Sequence, residues 1–93
     1  MYWKKERFLT LYYFVLVYPE GDTLEIDAPL SFNQILDMNG RALQLPLRTE
    51  KMVVYRVFKV STKEERGEVT TFYHLELVTG AELFHLAGKT FPG

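Results

Sequence analysis

Two long β-rich runs near the C-terminus give the clearest hydrophobic pattern in the chain. Residues 51–62 and 69–78 are joined by Glu64-Glu65-Arg66-Gly67-Glu68. A three-residue loop over residues 65–67, with Gly67 in the left-handed conformation, predicts a β-hairpin. This loop fixes four cross-strand pairs: Val60 with Phe72, Phe58 with His74, Val57 with Leu75, and Arg56 with Glu76.

That register gives the hairpin two different faces. The predicted core face carries Val53, Tyr55, Val57, Tyr73, Leu75 and Leu77. The second face sets a polar centre among apolar residues, and its members are Val54, Arg56, Phe58, Val60, Phe72, His74, Glu76 and Val78. We interpret Arg56 and Glu76 as a cross-strand ion pair with His74 as its neighbour. A one-residue slip would place Arg56 in the core, which desolvation opposes.

The N-terminal region predicts a second hairpin. Residues 7–18 are β-rich and apolar at both alternating sets of positions, which is typical of a strand covered on both sides. Pro19-Glu20-Gly21-Asp22 is a turn, and residues 23–28 then alternate with Leu24, Ile26 and Ala28 inward.

The middle of the chain supports two interpretations. Ser31 with Gln34 fits a capping box, and Leu30 with Ile35 fits a hydrophobic staple, which together predict a short helix ended by Asn39-Gly40. The alternative uses Asn39-Gly40 as a hairpin turn between residues 35–38 and 41–45. We favour the helix. Residues 42–47 then alternate, and Pro46 limits this piece to a short edge strand with Leu43, Leu45 and Leu47 inward.

The C-terminal residues predict a short helix. Thr79 with Glu82 forms a second capping box, Val78 with Leu83 a second staple, and Gly88 suits a helix C-terminus. The helix would span residues 81–87, and residues 89–93 would form a loose tail. The chain therefore predicts an α+β fold: one strand-rich domain over residues 1–93, with about five mostly antiparallel strands and one or two short helices. A small β-barrel is the alternative.

Composition excludes several kinds of chemistry. The chain has no cysteine and two histidines, which argues against a thiol nucleophile and a metal site. Its glycines are isolated turn or cap residues, and neither a phosphate-binding loop nor a nucleophile elbow is present. Glu25 and Asp27 alternate on the solvent face of a strand, as ordinary surface carboxylates do. We therefore expect no enzyme activity, no catalytic residues, no metal and no cofactor.

The N-terminus resembles a signal peptide only superficially. Lys4, Lys5 and Arg7 precede the apolar run 8–18, but a turn follows that run where a small-residue cleavage site would stand. The run is also too short to cross a bilayer. We expect a cytoplasmic protein that does not associate with membranes.

Charge argues against a nucleic-acid partner. The net charge is −1, although residues 8–40 carry −5 and residues 41–63 carry +5. Strand alternation places Lys59 and Lys63 on the face opposite Arg56 and Phe58, so no single surface gathers the charges and the rings.

An interaction module is the function that these patterns favour. The second hairpin face is more apolar than a small monomer usually exposes, and two copies related by a two-fold axis could bury it. We expect a non-catalytic assembly domain that forms a homodimer through this face. The alternatives are cover of the face by helix 80–87, and a small β-barrel that binds nucleic acid or a small ligand.

Overall fold

The computed structural model describes residues 9–90. Six elements follow one another along the chain: β1 (Leu11–Val17), β2 (Thr23–Ile26), β3 (Ile35–Asp37), β4 (Val54–Glu65), β5 (Glu68–Leu77) and helix α1 (Gly80–Leu86). The predicted α+β class, with five mostly antiparallel strands, is confirmed. Within these residues, no helix is long and apolar enough to span a membrane.

The five strands form one sheet in the order β2-β1-β5-β4-β3. Every neighbouring pair is antiparallel except β1 and β5, which run parallel from Leu11 beside Glu68 to Val17 beside His74. The sheet curls like half a barrel, and the turn after β3 contacts β1 and β2. Gly40 in that turn packs against Leu16 and Leu24.

The predicted N-terminal hairpin is confirmed. β1 and β2 pair from Phe14 with Ile26 to Val17 with Thr23. The Tyr18 carbonyl accepts a hydrogen bond from the Gly21 N–H (2.9 Å) and closes the turn. Burial is shallower than the sequence predicts, since Leu16 is the only fully buried residue of β1 and Leu24 is 40% exposed. Residues 7 and 8 of the predicted strand lie outside the described residues.

The helix expected after Ser31 does not form, and the hairpin alternative is correct only in part: residues 35–37 form β3, and the chain turns back through residues 38–40 to a single bridge between Leu36 and Ala42. The local signal does operate, because the Gln34 Oε1 accepts a hydrogen bond from the Ser31 N–H (3.0 Å). However, Asn33 has a φ of 70°, which is outside the helical region. The backbone of β4 also forms two hydrogen bonds here: the Asn33 N–H donates to the Val57 carbonyl, and the Val57 N–H donates to the Gln34 carbonyl. Long-range strand pairing therefore overrides a single helical turn.

The strand expected at residues 42–47 does not form beyond one bridge. Ala42 pairs with Leu36, and the chain then continues as a loop. Leu47 is buried as predicted, but Leu45 is 55% exposed.

The long hairpin forms, but its predicted register is wrong from Phe58 to the turn. Glu65 pairs with Glu68, so the loop is Arg66-Gly67, with a φ of +74° at Gly67 as expected. The register shifts between Val57 and Lys59, where Phe58 is the additional residue of a β-bulge. The loop is one residue shorter than predicted, and the additional residue of the bulge compensates for this difference. Arg56 with Glu76 and Val57 with Leu75 therefore pair as predicted, whereas the three pairs nearest the bulge on its turn side are Lys59 with His74, Val60 with Tyr73, and Ser61 with Phe72.

The C-terminal helix is confirmed, but its capping box is not. Thr79 occupies the N-cap position without a side-chain hydrogen bond to the helix. Glu82 pairs with Arg56 instead. Gly88 has a φ of +72° after the last turn, as expected. Lys89 of the predicted loose tail binds the Glu50 carboxylate (2.7 Å), and residues 91–93 lie outside the described part of the chain.

Two apolar clusters lie on opposite sides of the sheet. We call the side that bears Leu16, Val57 and Tyr73 the core face, and the side that bears Arg56, His74 and Glu76 the outer face. The core-face cluster contains Leu16, Leu36, Tyr55, Val57, Tyr73 and Leu75. The outer-face cluster contains Ile35, Leu47, Val54 and Val78, against which Leu83, Leu86 and Ala87 of the C-terminal segment pack. Val53 and Leu77 were expected in the core, but they are 42% and 51% exposed.

Candidate interaction site on the long hairpin

The bulge divides the candidate residues into two groups. We call the end of the hairpin near Val54 proximal and the end near the Arg66-Gly67 turn distal. Directly opposed residues share a face, so Val60, paired with Tyr73, lies on the core face, while Phe72 lies on the outer face. The sequence had placed both on one continuous surface. That surface does not exist as predicted, because the bulge reverses the alternation of β4.

The proximal group is buried inside the protein. Val54 is 1% exposed and Val78 is 2% exposed, and both belong to the cluster covered by α1 and the loop before β4. Cover by the C-terminal helix was the main alternative to self-association, and it accounts for this end of the face.

Arg56 links the sheet to α1. Its Nε donates to the Glu76 carboxylate (2.9 Å), as the predicted ion pair requires, and its guanidinium also binds Glu82. The hydrogen bonds that Arg56 donates to Glu82 and, with a smaller effect, to Glu76 raise its pKa. The Glu82 contact could not be foreseen, because the sequence had assigned Glu82 to the helix cap. The Arg56 guanidinium therefore has two carboxylate partners within the chain.

His74 pairs with Lys59 and contacts Ser61. The Ser61 Oγ and the His74 Nε2 are 3.0 Å apart on the outer face. A serine nucleophile also needs a group that orients the imidazole and donors for an oxyanion. Within the described residues, His74 has no hydrogen bond to a carboxylate, and the pair sits on regular strands. The arrangement is that of a polar cross-strand contact.

In the distal group, Phe58 and Val60 are exposed and border an open sheet edge, whereas Phe72 and His74 are half-buried on β5. Phe58 is 45% exposed and Val60 is 42% exposed. β3 pairs with β4 only from Val54 to Arg56, and Asn33 and Gln34 bind Val57. Beyond Val57, no strand in the described part of the chain covers the free side of β4. The distal half of β4 is therefore an unpaired edge strand.

The lysines of β4 lie on a different face from the one predicted. Because of the bulge, Lys59 and Lys63 share the outer face with Arg56, Phe72 and His74. The alternation argument against nucleic-acid binding is therefore wrong. The charge argument remains, since Glu65, Glu68 and Glu76 lie on the same face, with Lys63 3.5 Å from Glu65.

A shallow cleft of about 450 Å³ opens at the other end of the sheet. Its walls come from the β1–β2 turn, the β3 turn and Tyr55. The Tyr18 and Tyr55 rings meet edge to face at 5.2 Å, and the Tyr18 hydroxyl donates to the Met38 carbonyl (3.2 Å). Burial raises the pKa of Tyr18, with smaller contributions from Tyr55, Asp37 and Glu20. In residues 9–90, no group of three or more acidic or histidine side chains is placed to hold a metal ion.

Comparison with known proteins gives one match. No curated protein and no solved structure matches the chain. A protein family described as "Uncharacterised Treponema protein" matches residues 9–86, which run from just before β1 to the end of α1. Because this match covers most of the sequence, the chain belongs to that family.

Proposed function

We propose that this protein is a non-catalytic assembly domain that associates with itself through the distal half of the β4–β5 hairpin. The observation that carries the proposal is the combination of an unpaired β4 edge with two apolar side chains beside it, Phe58 and Val60. An exposed edge strand offers unsatisfied backbone donors and acceptors to a second strand, and adjacent apolar groups add burial.

The rest of the hairpin supports this location by elimination. Val54 and Val78 are buried beneath α1, and Arg56 forms ion pairs with Glu76 and Glu82. Phe58 and Val60 are thus the members of the predicted interface that stay exposed beside the open edge of β4. The predicted homodimer is retained, with its contact moved toward the hairpin turn.

The ligand-binding alternative has weaker support. Leu16, Tyr73 and Leu75 are buried at the centre of the core face, where a ligand inside the half-barrel would have to lie. The cleft beside Tyr18 is lined by Glu20 and Asp22, which would repel the phosphates of a nucleic acid. The predicted cytoplasmic location stays a prediction from the N-terminal pattern.

Light scattering on the purified chain tests the proposal. We expect a mass above that of the 10.9 kDa monomer at micromolar concentrations. Phe58→Glu should lower that mass while the circular dichroism spectrum stays folded. Leu45→Glu is the matched control, because Leu45 is 55% exposed on a loop outside the hairpin, and this variant should keep the wild-type mass. A monomer in the unmutated chain at all concentrations would reject self-association.

A further inference from the structure

The backbone of the free β4 edge has a defined set of outward groups. Residues that flank a two-residue turn exchange both hydrogen bonds, so Glu65 faces Glu68. Alternation along an antiparallel pair then turns the N–H and C=O groups of Val60, Thr62 and Glu64 away from β5. In the described residues, these groups have no strand to receive them.

The ends of this edge are fixed by structure. On one side, the outward groups of Val57 are taken by Asn33 and Gln34, and the bulge at Phe58 follows. On the other side, the chain turns at Arg66-Gly67. The free segment runs from Lys59 to Glu65, and its midpoint is Thr62. A strand of the same length and opposite direction would fill it completely.

We propose that this strand is the β4 edge of a second copy, paired antiparallel about a two-fold axis at Thr62. The two five-stranded sheets would then form one continuous sheet. This inference rests on the proposed self-association and specifies its geometry.

Charge selects this register over its neighbours. With the axis at Thr62, Lys59 of each copy lies opposite Glu65 of the other. Val60 then lies opposite Glu64, and Ser61 lies opposite Lys63. Moving the axis to Ser61 would place Lys59 opposite Lys63, and moving it to Lys63 would place that lysine opposite itself. Like charges directly opposite each other are destabilising, whereas opposite charges stabilise a cross-strand pair. The Thr62 register is the one of these three that avoids a lysine–lysine pair.

The register also relieves a repulsion within each copy. Glu65 lies directly opposite Glu68 in the hairpin. Lys59 of the second copy would stand on the other side of Glu65, so the carboxylate pair would gain a cation. About six backbone hydrogen bonds would join the copies through residues 60, 62 and 64.

Cysteine cross-linking tests the axis, and the chain suits this experiment because it has no native cysteine. Thr62→Cys places the two new thiols opposite each other, within disulfide reach, and should give a covalent dimer under mild oxidation. Thr71→Cys is the matched control. Thr71 pairs with Thr62 on β5, so its two copies would stand about 14 Å apart across three strand spacings and should not cross-link.

Charge reversal tests the register independently. Lys59→Glu and Glu65→Lys should each weaken dimerisation roughly tenfold, because two pairs per dimer become repulsive. The double variant should restore the wild-type dissociation constant in sedimentation experiments. A dimer that ignores both reversals and does not cross-link at Thr62 would overturn this geometry and leave the proposed function standing. A monomer at every concentration would overturn both.

Discussion

The α-carbon of Gly40 lies so close to Leu16 that a methyl group added to it would be 2.6 Å from the Leu16 Cδ1. Leu16 is fully buried in the core-face cluster. The β3 turn therefore packs directly against β1. Gly40 also has a φ of +84°, so glycine serves two purposes at one position.

Gly40→Ala should destabilise the protein by about 2–4 kcal/mol, because backbone strain adds to overpacking of the core. Gly21→Ala is the matched control. Gly21 has a similar φ of +99°, but nothing lies within 4 Å of the added methyl group, so it should lose only about 1 kcal/mol. Urea denaturation measures both. Equal decreases in the free energy of unfolding would show that the Leu16 side chain moves aside at no cost.

Val78→Ala should cost about 1–3 kcal/mol, because Val78 is 2% exposed in the cluster beneath α1. Phe58→Ala should cost less than about 1 kcal/mol in the monomer, since nearly half of that side chain is already in water. Thermal unfolding at a low protein concentration compares them. If Phe58→Ala proved the more destabilising, Phe58 would be a core residue.

Glu82→Ala should destabilise α1 by about 0.5 kcal/mol, because the Arg56 contact is partly solvent-screened, with the Glu82 side chain 45% exposed. Thr79→Ala should cost less than an ordinary helix cap, under about 0.3 kcal/mol, because Thr79 makes no capping hydrogen bond. Adding about 1 M NaCl should reduce the Glu82 effect and leave the Thr79 effect unchanged. If Thr79→Ala proved more destabilising than Glu82→Ala, the predicted capping box would be supported.

Tyr18 should make the protein sensitive to alkali. Its pKa is raised above the ordinary value of 10.0, so the folded state holds this proton more tightly than the unfolded state. That contribution to stability is fully present below pH 10 and is lost as the pH rises through the folded-state pKa. Tyr18→Phe should therefore lose less stability than the wild type between about pH 9 and about pH 11. The melting temperature of both proteins measures this effect across the pH range. Equal decreases in the two proteins would exclude this role for Tyr18.

The long hairpin shows which parts of the fold local patterning can specify. Arg56 pairs with Glu76 as predicted because two one-residue deviations cancel, one in the loop and one at the bulge. Alternation could not reveal either deviation, since Phe58 and Val60 are apolar in both registers. The face assignments of Val60, Lys59 and Lys63 were wrong for that reason, whereas Phe72 and His74 lie on the predicted face.

Competition from distant strands explains the other differences. The turn at Ser31–Gln34 forms its capping hydrogen bond. However, Asn33 and Gln34 form backbone hydrogen bonds with Val57 of β4, and a helix does not follow. Glu82 likewise forms an ion pair with Arg56, which is remote in sequence, and not the predicted capping interaction. The pairing of β1 with β5 has no sequence signature at all, because the choice of a parallel neighbour leaves no local pattern.

The parallel β1–β5 ladder determines the order in which the chain can fold during synthesis. β1 and β2 leave the ribosome first, but the central neighbour of β1 is the last strand to be made. Closing so long a loop is slow, because its entropic cost precedes any gain from the new contacts. Leu16 and the half-buried residues of β1 therefore stay uncovered until the C-terminal hairpin emerges. During that interval, the nascent chain exposes the segment that a chaperone would bind most readily.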